Sequence, residues 1–237
     1  MKKKIVITGG SGRFGKYLQK VNLKYKLFFP TKKQLNILSE KSIFTYLKKT
    51  KAHILIHLAG LSRPMNIHNT DIEKSINLNI IGTANITKVC SLLNIKLIYF
   101  STNYVYPGTK GNYSELDPIL PINSYAWSKL GGECSVMLYK NSLILRVCMT
   151  EKPFVHKKAF INVKTSFIYH EEVAKILPKL LKKKGIINIG GKSQFIYDFV
   201  LKDNKNIKKV KLKKSDKTEI PINSSLSLNK LNKIIKK

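Results

Sequence analysis

Short apolar runs alternate with longer amphipathic stretches along the first two-thirds of the chain. The apolar runs predict β-strands at residues 4–8, 27–29, 53–58, 96–101 and 142–147. The amphipathic stretches predict α-helices at residues 12–21, 39–49, 71–93 and within 121–139. Strands this apolar are typical of a parallel sheet that helices cover on both faces. The pattern therefore predicts an α/β fold with a doubly wound parallel sheet.

The order of elements is less regular after Arg146. There the pattern predicts helices at 171–182, 194–201 and 227–237, and a strand at 185–189. Residues 202–217 are rich in lysine, and we expect them to form an exposed connection. No internal repeat and no long linker of Pro, Gly and Ser separates the two parts of the chain. We therefore expect the later elements to pack on the same domain.

The chain has 237 residues and carries 44 Lys and Arg against 13 Asp and Glu, a formal net charge of +31. Such a charge is typical of proteins that bind nucleic acid or an anionic membrane. Only three of the 44 basic residues are arginines, however, and nucleic-acid binders use Arg for bidentate contacts to phosphate and guanine. The excess of Lys, together with the many Ile and Asn residues, indicates a bias in composition that requires no anionic partner. Nucleic acid is therefore not the expected partner, and binding through residues 202–217 stays the last-ranked alternative.

The three cysteines, Cys90, Cys134 and Cys148, have neither CxxC spacing nor a histidine partner. We predict no metal site and no disulfide, but buried thiols in a reducing compartment. The first apolar run ends at Ile7, and no apolar stretch of 18 residues follows. This pattern predicts neither a secretory signal nor a membrane span, and with the thiols it indicates a cytoplasmic protein.

A glycine-rich loop follows the first predicted strand. Gly9, Gly12 and Gly15 have the spacing GxxGxxG, and Arg13 and Phe14 lie between the last two. A strand-to-helix turn of this kind lets the backbone approach a pyrophosphate, which the N–H groups of the helix N-terminus then bind. Glycines also form ordinary βα turns, but the position ahead of a βαβ pattern favours a dinucleotide site.

The end of the second strand bears on the type of cofactor. An acidic residue there binds the 2′-hydroxyl of the adenosine ribose and selects NAD. The first acidic residue of this chain is Glu40, and the strand is followed by Lys32. Lys32 and Arg13 suit a 2′-phosphate, so the sequence predicts NADP(H), with NAD(H) as the alternative. Because lysines are frequent throughout the chain, the missing carboxylate is the stronger observation.

A hydroxyl, a phenol and an amine are spaced as acid–base chemistry requires. Thr102 ends the fourth strand, and Tyr125 and Lys129 lie four residues apart on a predicted helix, so these two share a face. A lysine charge beside a tyrosine lowers the pKa of the phenol, which can then exchange a proton with a carbonyl or alcohol oxygen. Thr102 can hydrogen-bond the same oxygen. A Tyr-x-x-x-Lys pair alone also occurs by chance. In that alternative, Tyr125 is an ordinary surface or half-buried aromatic residue without a catalytic role.

Residues 101–133 resemble the extended short-chain dehydrogenase/reductase superfamily, and within it the dTDP-4-dehydrorhamnose reductase branch of sugar-nucleotide-binding proteins. That branch carries a strand-end motif close to STDYVFDG, then a Glu, a Pro-x-Asn-x-Tyr-x-x-Ser-Lys run and a Gly-Glu. The matching residues are Ser101, Thr102, Asn103, Tyr104, Val105, Tyr106, Glu115, Pro121, Asn123, Tyr125, Ser128, Lys129, Gly132 and Glu133. Arg146 and residues 168–174 and 221–231 are similar to later segments of the family, so the resemblance covers the whole chain.

The resemblance implies an NAD(P)-binding Rossmann fold, with residues 1–148 as the dinucleotide-binding core and 149–237 as a small, reduced substrate lobe. It implies that Thr102, Tyr125 and Lys129 are the catalytic residues. Beyond the glycine loop and Lys32, it implies that the cofactor is lined by Asn36, Ile37, Leu58, Ala59, Gly60 and Asn79, with Tyr125 and Lys129.

The chain departs from the family pattern in two respects. Asn36 and Asn103 stand where the family has aspartates, which removes charge but keeps a hydrogen-bonding group. Residues 147–166 are shorter than the family segment that helps to cover the sugar nucleotide. These differences bear on the substrate more than on the cofactor.

The function that the resemblance implies is an NADP(H)-dependent oxidoreductase. It would reduce a keto group of a nucleotide-linked deoxysugar in carbohydrate biosynthesis. The alternative is a non-catalytic NADP-binding regulatory protein, similar to the regulatory subunit of methionine adenosyltransferase. Retention of the three catalytic-type residues favours the enzyme, and the short segment favours the regulatory protein. A homodimer is left open.

Overall fold

The computed structural model describes residues 3–21, 24–213 and 220–236. Its centre is a sheet of six parallel strands in the spatial order β2-β1-β3-β4-β5-β6. The strands are β1 (Lys4–Thr8), β2 (Lys26–Phe28), β3 (Ile54–His57), β4 (Lys96–Thr102), β5 (Ser142–Val147) and β6 (Gly185–Ile189). The predicted parallel α/β sheet is thus confirmed.

Helices cover both faces of this sheet, as predicted. The helices are α1 (Arg13–Lys20), α2 (Glu40–Thr50), α3 (Ile67–Thr70), α4 (Ile72–Ser75), α5 (Gly82–Leu92), α6 (Ser124–Met137), α7 (His170–Leu180), α8 (Ile196–Leu201) and α9 (Asn229–Ile235). Alternate side chains of each strand point to opposite faces. In β1, Ile5 and Ile7 join the core of α1, α7 and α9, whereas Val6 joins the core of α2, α5 and α6.

The long helix predicted at 71–93 contains a change of helix type. Its central part, Ile76–Ile81, is π-helical and lies between α4 and α5. Asp71 caps the start of α4, where its carboxylate accepts a hydrogen bond from the Lys74 N–H group. A π-helical segment widens the turn and is often found at functional sites. Here it carries Asn79, which is buried.

The part of the chain after β5 contains short strands that the sequence pattern did not predict. They pair as Met149–Thr150 with Ile168–Tyr169, Lys158–Phe160 with Lys208–Val210, and Lys164–Thr165 with Gln194–Phe195. The helix predicted at 194–201 therefore begins as a strand, and the connection predicted at 202–217 contains one. Residues 214–217 of that connection lie outside the described residues. Two or three residues are too few to show a periodicity, which explains the omission.

The cysteines agree with the prediction only in part. Cys90 and Cys148 are buried, and burial raises the pKa of both thiols, that of Cys148 to about 11. Cys134 is exposed, because it lies on the outer side of α6, so the prediction of three buried thiols was wrong. No helix within the described ranges is both long and apolar enough to cross a bilayer.

A buried ion pair joins α6 to the sheet. The Arg146 Nε atom donates to Glu133 Oε1 at 3.0 Å, and the Ser101 hydroxyl donates to Glu133 Oε2 at 2.7 Å. The Arg146 Nη1 atom also donates to the Tyr106 hydroxyl at 2.9 Å, and that hydroxyl donates to Asn188 of β6 at 2.9 Å. One carboxylate therefore fixes the position of α6 relative to β4 and β5.

Removing this carboxylate is expected to destabilise the fold strongly. Glu133→Ala leaves the Arg146 charge buried without a partner, which should lower the free energy of unfolding by about 3–5 kcal/mol. Urea denaturation measures the loss. The control is Glu73→Ala at an exposed position of α4, which should change stability by less than about 0.5 kcal/mol. A loss no larger than the control's would contradict the structural role of the pair.

Candidate functional site

The carboxyl ends of β1 and β3 meet at the point where the strand order reverses. The chain leaves β1 towards β2 on one side, and β3 adds to the other side of β1. Such a switch point opens a crevice in which α/β sheets bind ligands. A Cβ atom on Gly9, whose φ is +73°, would lie 2.5 Å from the Ala59 nitrogen. The two loops are thus in close backbone contact at the base of the crevice.

The glycine loop leads directly into α1. Gly12 is the N-cap residue and has no side chain to cap the first turn. A Cβ on Gly15 would lie 2.4 Å from the Gly9 carbonyl oxygen, so position 15 requires glycine. The Phe14 ring is buried against Phe100, with ring centroids 5.4 Å apart. The loop therefore offers backbone groups to a ligand, while the Phe14 side chain belongs to the core.

A buried histidine that the sequence analysis did not single out supports both loops. Thr83 uses its hydroxyl proton in a 2.7 Å hydrogen bond to the Asn79 carbonyl, so His57 Nε2, at 3.2 Å from the same hydroxyl, carries a hydrogen. His57 Nδ1 then accepts from the Thr8 hydroxyl at 2.8 Å. Burial, together with the Lys129 charge, lowers the pKa of His57 to about 3. The imidazole is therefore neutral, and Thr8 in turn accepts from the Ala59 N–H group at 3.3 Å.

The Asn79 amide holds the loop after β3. Its oxygen accepts from the Leu61 N–H group at 2.7 Å, and its nitrogen donates to the Leu61 carbonyl at 2.9 Å and to Ser128 at 2.8 Å. A Cβ on Gly60 would lie 2.8 Å from the same amide oxygen. Asn79, which the resemblance places beside the cofactor, thus positions residues 60–61 and α6 in the structure.

The three catalytic-type residues lie at the carboxyl end of β4. Thr102 is buried at the end of the strand, where its hydroxyl accepts from the Tyr104 N–H group at 3.2 Å, and Tyr125 lies close to it in the first turn of α6. Lys129 follows one helical turn later and is also buried. Its ammonium lies 4.2 Å from the centroid of the Tyr99 ring, a cation–π contact. The structure therefore brings Thr102 to Tyr125 and places Lys129 over Tyr99.

The expected effect of Lys129 on Tyr125 was wrong. Burial raises the pKa of Tyr125, and the opposing influences are the hydrogen bond to Thr102 and the charges of Arg63 and Arg13. Burial also lowers the pKa of Lys129 to about 7, against which the Glu133 charge acts only in part. Lys129 is therefore a weak source of positive charge near neutral pH.

The adenine-side residues lie around β2. Lys32 is exposed beyond the end of β2, and Asn36 is half-buried, with its side-chain oxygen accepting from the Leu38 N–H group at 3.1 Å. Ile37 is buried in the core against Gly82 of α5. These positions are compatible with a ligand that crosses from α1 towards β2, but the Ile37 side chain serves packing.

Arg13 shares an ion pair with a second arginine at the crevice. Its Nη1 atom lies 3.1 Å from Glu151 Oε1, and Arg63 Nη1 lies 3.4 Å from the same oxygen. The Arg13 guanidinium also donates to Ser62 at 3.5 Å. Arg63 and Glu151 were missed by sequence reasoning because they are 88 positions apart and form no motif.

His68 is a second buried histidine that the motifs did not reveal. Its ring is buried 5.2 Å from the Tyr125 ring, between centroids, and Nδ1 lies 2.7 Å from the Ser75 hydroxyl. Within the ranges that the structure describes, His68 Nε2 is the only fully buried side-chain nitrogen or oxygen without a hydrogen-bond partner. Burial and the Lys129 charge lower the pKa of His68, so the imidazole is neutral at pH 7.

The titration of Lys129 is expected to be visible in the stability of the protein. Its pKa is about 7 when folded and near 10.5 when unfolded, so the unfolded state binds more protons between these values. The free energy of unfolding should therefore rise with pH across this window, by at most about 1.4 kcal/mol per pH unit. In Lys129→Met this contribution is lost, so the stability of wild type relative to the variant should increase from pH 7 to 10.

Urea denaturation at several pH values measures this difference. The control is Lys74→Met, the same substitution at an exposed position of α4, whose effect on stability should be small at every pH. A difference between wild type and Lys129→Met that is constant from pH 7 to 10 would show that Lys129 titrates normally.

Comparisons with known proteins identify related sequences and folds. The family model described as "RmlD substrate binding domain" matches residues 2–166. Methionine adenosyltransferase 2 subunit beta of Pongo abelii is 27% identical over 144 residues, which cover 57% of this chain and 43% of that protein. The dTDP-4-dehydrorhamnose reductase of Aggregatibacter actinomycetemcomitans is 27% identical over 152 residues, 62% of this chain and 51% of that protein. The chain thus matches about half the length of these relatives.

A solved structure shares the fold along almost the whole chain. The dTDP-4-dehydrorhamnose reductase of Bacillus anthracis, crystallised in complex with NADP, superimposes with a TM-score of 0.87 at 24% sequence identity. The superposition covers 98% of this chain and 92% of that one. This similarity confirms the predicted Rossmann-type architecture.

Proposed function

The chain belongs to the RmlD substrate binding domain family, and from this premise we propose that it is an NADP(H)-dependent oxidoreductase. It reduces a keto group of a nucleotide-linked deoxysugar. The observation that carries the proposal is the placement of Thr102, Tyr125 and Lys129, all three catalytic-type residues, together at the carboxyl end of β4 beside the glycine loop. The relatives named as dTDP-4-dehydrorhamnose reductases support the substrate class.

The glycine loop suits a dinucleotide, because Gly9, Gly12 and Gly15 have no side chains that would keep a pyrophosphate from the backbone. An added Cβ at Gly9 would collide with the Ala59 backbone and one at Gly60 with the Asn79 side chain, so the loops after β1 and β3 pack closely at the base of the crevice. The N-terminus of α1 would bind the pyrophosphate, and Arg13 and Lys32 would face phosphate groups. When bound, the nicotinamide supplies the hydride for the reduction.

Tyr125 acts as the general acid of the reduction. The phenol donates its proton to the carbonyl oxygen of the sugar as that oxygen gains negative charge. Because burial raises the pKa of Tyr125, the phenol is protonated at neutral pH, as this direction of reaction requires. The Thr102 hydroxyl holds the same oxygen. Lys129, whose ammonium lies over the Tyr99 ring, would anchor the ribose of the bound cofactor.

The second candidate function is a non-catalytic NADP-binding regulatory protein. The matches to methionine adenosyltransferase 2 subunit beta favour it, as does the short segment 147–166. Both candidates require cofactor binding, so they differ in turnover alone. A homodimer and a cytoplasmic location remain predictions under either function.

Replacement of Tyr125 separates the two functions. Tyr125→Phe removes the acidic proton and should lower kcat for NADPH oxidation with a dTDP-4-keto-6-deoxysugar by about 100-fold or more. Its Kd for NADPH should change by less than about twofold. The control is Tyr139→Phe, whose hydroxyl donates to the Ile95 carbonyl away from the crevice. An unchanged kcat in Tyr125→Phe would contradict the mechanism, and wild type that binds NADPH but never oxidises it would favour the regulatory protein.

The choice of cofactor depends on Lys32. Lys32→Gln should raise the Kd for NADPH about two- to fivefold and leave the Kd for NADH unchanged, because only NADPH carries the 2′-phosphate. Fluorescence titration of both cofactors measures the effect. Lys41→Gln, an exposed change of equal charge on α2, is the control. An equal rise in the Kd for NADPH and NADH would show that Lys32 attracts both cofactors through its charge and does not recognise the 2′-phosphate.

A further inference from the structure

We propose that Arg13, Arg63 and Ser62 form a subsite for a phosphate group, and that Glu151 is its internal occupant. When the ligand binds, one of its phosphate groups displaces the Glu151 carboxylate from the two guanidinium groups. This inference rests on the proposed function, in which Arg13 faces a phosphate, and extends it to Arg63 and to a carboxylate that competes with the ligand.

The use of arginine in this chain is the first observation. Only Arg13, Arg63 and Arg146 are arginines among 44 basic residues, so lysine is the default cation of the chain. Arg146 forms the buried pair with Glu133. The other two arginines meet at one carboxylate, although they come from loops about 50 residues apart in sequence. A planar guanidinium binds carboxylate and phosphate with the same fork of N–H groups, which an ammonium does not provide.

The geometry of Glu151 is the second observation. Its Oε1 atom lies 3.1 Å from Arg13 Nη1 and 3.4 Å from Arg63 Nη1, and its Oε2 atom lies 3.5 Å from Arg63 Nη1. The Glu151 side chain is 15% exposed, whereas those of Arg13 and Arg63 are 46% and 37% exposed. The two guanidiniums therefore enclose one carboxylate but stay accessible from the crevice. A single negative charge leaves one of the two positive charges uncompensated.

The position of the cluster relates it to the reaction. Arg13 starts α1 at the glycine loop, and Arg63 belongs to the loop after β3, so the cluster spans the crevice at the switch point. The charges of both arginines also act on Tyr125. A phosphate bound between them thus lies on the route from the glycine loop to the acid that protonates the substrate.

The Glu151 carboxylate has other positively charged neighbours once it is displaced from the arginines. Glu151 borders a cavity of about 520 Å³ between α1 and the start of α7. Lys16, Lys20 and Lys152 line the same cavity. Glu151 can therefore leave the arginines and still have positively charged neighbours. This limits the free-energy cost of displacing its carboxylate.

The exchange predicts a tighter complex when the competing carboxylate is removed. If the subsite is free for only a fraction of the time, the apparent Kd is the intrinsic Kd divided by that fraction. Glu151→Gln should therefore lower the Kd of the responsible ligand about fivefold. If Glu151 only held Arg13 and Arg63 in place, the opposite result would be expected. Its removal would then loosen the crevice and raise the Kd.

Isothermal titration calorimetry with four ligands tests this. The ligands are NADPH, NADH, thymidine diphosphate and inorganic pyrophosphate. The matched control is Glu171→Gln, which makes the same charge change on the wall of the same cavity and should alter each Kd by less than about twofold. Arg63→Gln should weaken binding of the responsible ligand, and Glu151→Gln should improve binding less in the Arg63→Gln background than in wild type, because only Arg13 is then left to be released.

The ligands also identify the source of the phosphate. A gain in Glu151→Gln for NADPH and NADH alike assigns the subsite to the cofactor pyrophosphate, and a gain for NADPH alone assigns it to the 2′-phosphate. A gain for thymidine diphosphate alone assigns it to the substrate. Unchanged or weaker binding of all four ligands overturns the proposal. If wild type binds neither dinucleotide, the proposed function fails, and thymidine diphosphate and pyrophosphate still decide whether the subsite exists.

Discussion

The Glu133 carboxylate is the group on which the arrangement of the site depends. It accepts hydrogen bonds from Arg146 of β5 and from Ser101 of β4, and it belongs to the helix that carries Tyr125 and Lys129. A buried carboxylate requires partners of this kind, because an unpaired charge in the interior is very costly. The pair therefore determines where α6 sits on the sheet, and with it the distance from Tyr125 to the end of β4.

The fold could be predicted from the sequence because its signals are local and repeated. Mostly apolar strands of three to seven residues, with amphipathic helices between them, predict the parallel sheet and its two helical layers. Ser39 was predicted at the start of 39–49, and in the structure its hydroxyl caps α2 by accepting from the Ser42 N–H group. The short strand pairs after β5 leave no such signal, because pairing between distant residues creates them.

The site was predictable as a set of positions but not as an electrostatic environment. Spacing places Tyr125 and Lys129 on one face of a helix, and the strand end places Thr102 beside them. The pKa of each group, however, depends on how deeply the folded chain buries it, and burial reverses the expected direction for Tyr125. The Arg13–Glu151–Arg63 cluster lay outside the sequence analysis for a related reason. It joins three loops that only the tertiary fold brings together.

The hydrogen bonds beneath the crevice have a further consequence for ligand binding. From Ala59 through Thr8, His57 and Thr83 to the Asn79 carbonyl, each group donates to the next when the Thr83 hydroxyl proton points to that carbonyl. The dipoles at the base of the site are therefore already oriented before a ligand arrives. Dipoles that are fixed in this way need no reorganisation when a ligand replaces the water of the crevice.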